Sequence, residues 1–317
     1  MMFRVLAFAL CTTIPCLAWQ PSMRSSSSLR MSSTDGMQVT VVGGTGFVGS
    51  RVCQILTEKG ASVRSISKSG TVPKWCKEEE WTNKVTWSAV DLLEGTPASL
   101  DAAMGTPEAV VSCVGVVGTN PEELKRGNGD ANIAAFESAK RVLVKRAAFV
   151  SVSSEVAACR ENWLPEFFGA YFDGKEAAEA AAVEAVGSDS LTILKPTFIY
   201  GGDSFGLLPP RVNTAYGSLV DQVLSFPPVQ VIADVTPGLI KVALRPPVSV
   251  KALAAACAAA ALGEISGQTL DGAVAINDVT NPPAATGLTD AIAWSVDTAA
   301  RVAEWTSAQL KEQAMKK

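Results

Sequence analysis

The sequence predicts an α/β fold built on a doubly wound parallel sheet, and three observations predict it. Five short apolar runs recur between residues 37 and 152, separated by polar or helical stretches. The first run passes directly into a glycine-spaced turn and then a helical pattern. The chain of 317 residues is 48% hydrophobic and 18% charged, enough to bury a core on both faces of such a sheet.

Residues 37–42 (MQVTVV) read as a buried parallel strand. Gly43-Gly44-Thr45-Gly46-Phe47-Val48-Gly49 follows at once, with glycines 43, 46 and 49 spaced G-x-x-G-x-x-G. The first glycine lets the chain turn sharply, the second lets backbone approach a pyrophosphate, and the third lets helix and strand pack closely. Val52, Ile55 and Leu56 give the next helix one apolar face, and Gly60 stops it. A diphosphate would sit against unpaired N–H groups at the positive end of that helix. Residues 43–49 are therefore candidate dinucleotide contacts.

A second strand over residues 63–66 leads into Ser67-Lys68-Ser69. A dinucleotide without a 2′-phosphate is usually held here by an Asp or Glu on its ribose hydroxyls, and none is present. Lys68 is either a partner for a 2′-phosphate, which favours NADP over NAD, or a solvated loop lysine. Residues 85–90 form a third strand closed by Asp91-Leu92, and residues 109–115 a fourth that ends in Val114-Gly115. A helix over 133–144 precedes a fifth strand at 147–152.

The chain contains no histidine, which excludes a Ser-His-Asp triad, an imidazole base and a histidine metal site. Acid–base chemistry falls to Tyr, Lys, Asp, Glu or Cys. The seven cysteines form no C-x-x-C pair and read as buried reduced thiols rather than metal ligands or staples. A net charge of −4 without a basic stripe argues against a nucleic-acid partner.

Residues 1–34 read as a targeting leader. They hold Arg4, Arg24 and Arg30 and no acid, leaving 24 basic against 31 acidic residues for the remainder. The apolar run over 5–18 is shorter than the roughly 20 residues of a membrane-spanning helix. Cys16-Leu17-Ala18 offers a cleavage site, and an acid-free, Ser/Arg-rich stretch follows Trp19. This order resembles the bipartite leader of algae with secondary plastids, which implies a plastid destination. A plain secretory signal and a mitochondrial presequence are the alternatives.

Further along, Val150 to Ser154 is a serine-bearing strand end and Tyr171-Phe172-Asp173-Gly174-Lys175 a Y-x-x-x-K motif. Leu194-Lys195-Pro196-Thr197 reads as a sixth strand end, and Pro246-Pro247-Val248-Ser249-Val250 leads into an alanine-rich helix over 251–262. With the glycine turn, Asp91-Leu92 and Gly115, these span nearly all of 37–280. The pattern resembles a short-chain dehydrogenase/reductase of the extended or atypical type, a Rossmann protein of epimerase/dehydratase-like kind, with Lys195 where arginine is usual. It is most similar to the subgroup related to the dehydrogenase-like accessory subunit of respiratory complex I. That subgroup includes ubiquinone-biosynthesis accessory proteins and plastid relatives associated with lipid and quinone stores.

Tyr171 and Lys175, at i and i+4, project from one side of a strong helix former. A phenol with a pKa of about 10 is a poor base at neutral pH, and a nearby ammonium lowers that value. The resemblance implies that Tyr171 passes a proton to or from a substrate carbonyl as hydride moves. It also implies that Lys175 contacts the nicotinamide ribose, that Ser153 or Ser154 holds the carbonyl oxygen, and that Asp91, Leu92, Val114, Gly115 and Pro196 line the cofactor. Asn128 or Asn132 would link the lysine to water; a helix cap or turn is the alternative for either.

Residues 201–245, rich in Phe, Leu and Pro and poor in charge, are expected to form a small subdomain on the substrate side. Phe205, Leu207, Leu208, Tyr216, Leu219 and Phe226 either face an apolar, quinone-like substrate or form the subdomain's own core. Residues 281–317 read as an amphipathic tail helix that docks on its own domain, on a partner subunit or on a lipid surface. Two functions remain: an NAD(P)-dependent reductase of a small apolar carbonyl or quinone-like compound, and a dinucleotide-binding, catalytically silent accessory protein.

Overall fold

The computed structural model describes residues 35–280, apart from 203–205, 208–209 and 212. The leader and the tail helix lie outside the described residues. Six of the expected strands are present: β1 (Gln38–Val42), β2 (Ser62–Ser67), β3 (Val85–Ala89), β4 (Ala109–Ser112), β5 (Arg146–Val150) and β6 (Leu191–Lys195). Two-residue strands β7 (Ile199–Tyr200), β8 (Gly206–Leu207), β9 (Pro210–Arg211) and β10 (Val248–Ser249) follow, then β11 (Gln268–Asp271). The main sheet has seven strands in the order β11-β6-β5-β4-β1-β2-β3. All of its pairings are parallel.

That order carries the functional geometry. The chain steps outward from β1 to β3, returns to place β4 on the other side of β1, and then steps outward again. The crossovers beside β1 and β4 therefore leave on opposite sides and open a crevice at the carboxyl ends of those two strands, where α/β proteins place ligands. β11 escaped the sequence reading because it is short and only Leu270 among its four residues is buried. An edge strand with one inward side chain leaves no period-2 signal.

The helices are α1 (Gly49–Glu58), α2 (Pro97–Met104), α3 (Pro121–Lys125), α4 (Ala131–Arg141), α5 (Ser154–Ala157) and α6 (Gly169–Val186). After the sixth strand come α7 (Thr214–Leu224), α8 (Pro227–Val235), α9 (Gly238–Ala243), α10 (Val250–Leu262) and α11 (Gly272–Thr280). One core cluster packs α1 and α10 against the sheet through Val41, Val52, Leu56, Leu253 and Cys257. The other packs α2, α4 and α6 against the opposite face through Met104, Phe136, Phe149, Ala178 and Ala182. Phe136 and Phe149 meet edge to face, with ring centroids 5.5 Å apart. The alanines of α10 let it lie close on the strands, since nearly the whole helix is buried.

Candidate functional site

Val42 ends β1, and Gly43 turns the chain at φ +80°. A Cβ at Gly43 would lie 3.2 Å from both the carbonyl carbon of Cys113 and Cγ2 of Val114, so the turn sits hard against the end of β4. A Cβ at Gly49 would lie 2.3 Å from the Gly43 carbonyl oxygen. Only hydrogen fits there, and α1 can begin directly over the turn. The close-packed glycine cradle at a helix N-terminus fits a pyrophosphate, as the sequence implies.

The crevice widens into a cavity of about 690 Å³. Gly46, Phe47 and Val48 of the glycine turn line it. Val114, Gly115, Asn128, Tyr171, Lys175 and Pro196 also line it, as do Phe198, Leu239 and Val242. Among the described residues its walls carry no carboxylate and a single ammonium, that of Lys175. Eight of the sequence-predicted contacts thus share one cavity. Gly43, Gly44 and Thr45 of the turn and Gly49 at the start of α1 do not line it.

Lys175 is buried on α6, and its Nζ donates to the carbonyl oxygens of Val114 and Val150, each at 3.0 Å. The ammonium also lies 5.0 Å from the centre of the Phe149 ring. Two strand ends therefore fix the head of one side chain. Burial lowers its pKa from 10.5 to about 8. The position depends on a close crossing: a Cβ at Gly174 would lie 2.9 Å from the Gly129 nitrogen, so α6 touches the backbone of the preceding turn. That turn, Arg126–Asp130, is a single π-helical turn and carries Asn128 inward.

Both asparagines are fully buried. Asn128 Nδ2 donates to the carbonyls of Val116 and Leu124 at 2.8 Å each, and its Oδ1 accepts from the Val116 N–H at 3.1 Å. Asn132 Oδ1 accepts from Ser112 Oγ at 2.5 Å, and its Nδ2 donates to the carbonyls of Asn128 and Val114. The pair thus pins the loop after β4 beside the lysine. Of the two, only Asn128 reaches the cavity wall.

Tyr171 stands in the first turn of α6, its ring edge to face with Phe172. Burial among apolar groups raises its pKa to about 12. The sequence led us to expect a phenol shifted down by Lys175; in this structure desolvation governs it instead. The hydroxyl therefore stays protonated across the physiological range and is poised to donate.

The serines divide differently from expectation. Ser153 is buried and caps α5, its Oγ accepting from the Glu155 N–H at 3.2 Å. Ser154 is exposed, and its N–H donates to Asp271. Neither lines the main cavity, whereas Ser151, the first residue after β5, does. Its Oγ donates to Glu179 Oε1 at 2.5 Å. Neither Ser151 nor Glu179 is singled out by the sequence; their only signal is position, the first polar group beyond a buried strand and one helical turn after Lys175.

Lys68 and Asp91 stand at the ends of β2 and β3 and do not line the cavity. Lys68 Nζ pairs with Asp91 Oδ2 at 2.9 Å, and the lysine holds the Asp91 carboxyl below the usual carboxylate range. Leu92 packs partly buried on the core cluster of α2, α4 and α6. In the expected substrate-side segment, α9 supplies Leu239, Val242 and Ala243 to the cavity. Leu219 and Phe226 do not line it, and Phe205 and Leu208 lie outside the described residues. A clamp holds this roof: Glu155 on α5 accepts from Arg245 Nε at 2.8 Å and Nη2 at 2.7 Å and pairs with Lys241 of α9 at 3.1 Å. Among the described residues, no cluster of three His, Cys, Asp or Glu is placed to hold a metal ion.

A doubly wound parallel sheet with a glycine turn at its switch point defines a dinucleotide-binding α/β protein. The chain belongs to the NAD dependent epimerase/dehydratase family, whose model matches residues 39–201, and so to the extended short-chain-dehydrogenase-like proteins that bind a nicotinamide cofactor. It is 36% identical over 166 residues to an uncharacterized chloroplastic protein of Arabidopsis thaliana, covering 52% of this chain and 51% of that one. It is 32% identical over 82 residues to MIOREX complex component 2 of Saccharomyces cerevisiae, covering 25% and 29%. The chain thus spans about half, or less, of the length of these curated relatives. A putative epimerase from Burkholderia cenocepacia J2315 shares the fold, with TM-score 0.50 and 20% identity over 75% of each chain.

Proposed function

We propose that the protein is an NAD(P)-dependent reductase that passes hydride to a small apolar carbonyl or quinone-like substrate, with Tyr171 as proton donor. One observation carries this reading: Tyr171 and Lys175 share a mostly apolar cavity with the Gly46–Val48 end of the glycine turn. When bound, the reduced nicotinamide supplies the hydride. The chain's own residues do the rest. Tyr171 gives its phenolic proton to the substrate oxygen, and the Lys175 ammonium steadies the phenolate left behind. Ser151 stands at the cavity wall with its hydroxyl hydrogen given to Glu179, which leaves Tyr171 as the donor that the substrate oxygen meets. Val116, Val117, Phe198 and Leu239 give the cavity apolar walls, which suits an uncharged substrate.

The assay is oxidation of NADPH and NADH by the purified protein across a panel of quinones and apolar aldehydes and ketones. Turnover with an apolar acceptor is expected. If both dinucleotides bind and no acceptor is reduced, the chain is instead a silent dinucleotide-binding accessory protein.

NADP is the proposed cofactor because Lys68, exposed at the end of β2 and paired with Asp91, is a cation that a 2′-phosphate could meet there. Lys68→Ala is expected to weaken NADPH binding about tenfold, in line with one lost charge-assisted contact, and to leave NADH binding unchanged in the same titration. The plastid is the proposed location. The leader composition supports it, as does the similarity to a chloroplastic plant protein. A fluorescent fusion to residues 1–34, imaged against plastid and mitochondrial markers, tests that assignment.

Lys175→Met separates function from stability. The lowered lysine pKa means that charging this group in the fold is disfavoured, by about 3 kcal/mol at a pH below 8. The penalty is present below pH 8 and fades as pH rises from there toward 10.5, where the unfolded lysine also loses its proton. Methionine removes it but leaves two carbonyl oxygens short of a donor, at about 1 kcal/mol each. The variant should lose reductase activity and yet melt slightly higher than wild type at pH 7, by about 1 kcal/mol of net stability. Calorimetric melting at pH 7 and pH 9 checks this, and the gain should shrink at the higher pH.

A further inference from the structure

Behind the main cavity lies a smaller one of about 370 Å³, and Lys175, Phe172 and Val152 line both. Glu179 and Lys195 line the smaller cavity only. Glu179 follows Lys175 by one turn of α6, so the two side chains issue from the same helix face. Both of its oxygens are engaged: Oε1 accepts from Ser151 Oγ at 2.5 Å, and Oε2 pairs with Lys195 Nζ at 2.9 Å. The Glu179 and Lys195 side chains are only 20% and 18% exposed. A single carboxylate is thus held fixed by β5 and β6 between two lysines, one in the reaction cavity and one behind it.

We propose that Glu179 is a positioning residue that keeps the Lys175 head group charged, and that Lys195 limits this effect by sharing the same carboxylate. The inference rests on the reading of Tyr171 and Lys175 as the reacting pair. Each reduction takes one proton from Tyr171. The phenolate regains it from solvent, and until it does a charged Lys175 is what stabilises it. The groups around Lys175 are Cys113 after β4, Asn128 of the π turn, the Phe149 ring and Glu179 of α6, with Tyr171 lining the same cavity. Those facing Glu179 are Ser151, Lys195 and, across the smaller cavity, Glu176. The carboxylate of Glu179 raises the pKa of Lys175 against the larger downward pull of burial. Among the described residues, Glu179 is the carboxylate that acts on that lysine.

The test is the pH dependence of kcat/KM and, separately, of NADPH affinity in the full-length protein. Wild type should lose activity as pH rises through about 8, where Lys175 loses its proton. Glu179→Gln keeps the shape and the Ser151 contact but removes the charge, and should move that limb down by about one pH unit. Lys195→Met should move it up, because the carboxylate then acts on Lys175 alone. Lys195→Arg should leave it in place. A merely structural Glu179–Lys195 pair would lower activity or melting temperature in both variants without shifting the limb in opposite directions, and that result overturns the proposal. If Glu179→Gln does not fold, Glu179→Asp should give a smaller downward shift, and no shift overturns the proposal equally. If wild type reduces no acceptor, the reductase reading fails by itself. The affinity profiles then decide this inference, with the same signs required.

Discussion

Tyr171→Phe should lower turnover about 10²- to 10⁴-fold while leaving dinucleotide affinity within about twofold of wild type. The change deletes one oxygen at the cavity wall and keeps the ring that packs edge to face on Phe172. The fold and the glycine cradle are untouched, so loss of binding has no structural source. Burial holds the phenol near 12, which makes it a donor throughout the working pH range and a poor acceptor. Of the two other tyrosines, Tyr200 donates its hydroxyl to Asp221 at 3.0 Å and does not line the cavity, so it offers no substitute. Initial rates with the best acceptor, alongside fluorescence titration of NADPH, measure both halves. Full activity in the phenylalanine variant would remove Tyr171 from the chemistry.

Gly49→Ala should abolish dinucleotide binding and destabilise the fold by about 1–3 kcal/mol. The added Cβ would sit 2.3 Å from the Gly43 oxygen, 2.8 Å from its carbonyl carbon and 2.9 Å from the Gly44 Cα. All three are backbone atoms of the turn, so no side chain can rotate away. Relief requires α1 to lift off β1, and with it the N–H groups that would face the diphosphate. Gly118→Ala is the matched control: its Cβ would meet nothing within 4 Å, and its φ lies outside the left-handed region. That variant should melt within about 0.5 kcal/mol of wild type and bind normally.

The strands that carry the site were legible because they are buried on both faces and end at glycines or polar turns. The glycine spacing and the Y-x-x-x-K motif were legible because their chemistry depends on local spacing. The edge strand β11 was not, since it exposes three of its four residues. The serine assignment could not be read either. Residues 151, 153 and 154 all follow one strand, and only the path of the chain into α5 shows that Ser153 caps a helix while Ser151 faces the cavity. The tyrosine's upward shift was likewise invisible: it depends on how much apolar surface surrounds the ring, which i,i+4 spacing with lysine does not report. The roof contributed by α9 was hidden for a similar reason. Its short apolar run resembles any core segment until Glu155, Lys241 and Arg245 are seen to hold it over the crevice.

Dinucleotide binding at the β1–β4 switch point underlies every role assigned above. Titrating the purified protein with NADPH and with NADH in a calorimeter tests it most directly. Saturable one-to-one binding is expected, tighter for NADPH and lost in Gly49→Ala. Absence of binding heat with both dinucleotides, from protein whose melting shows it folded, would contradict it.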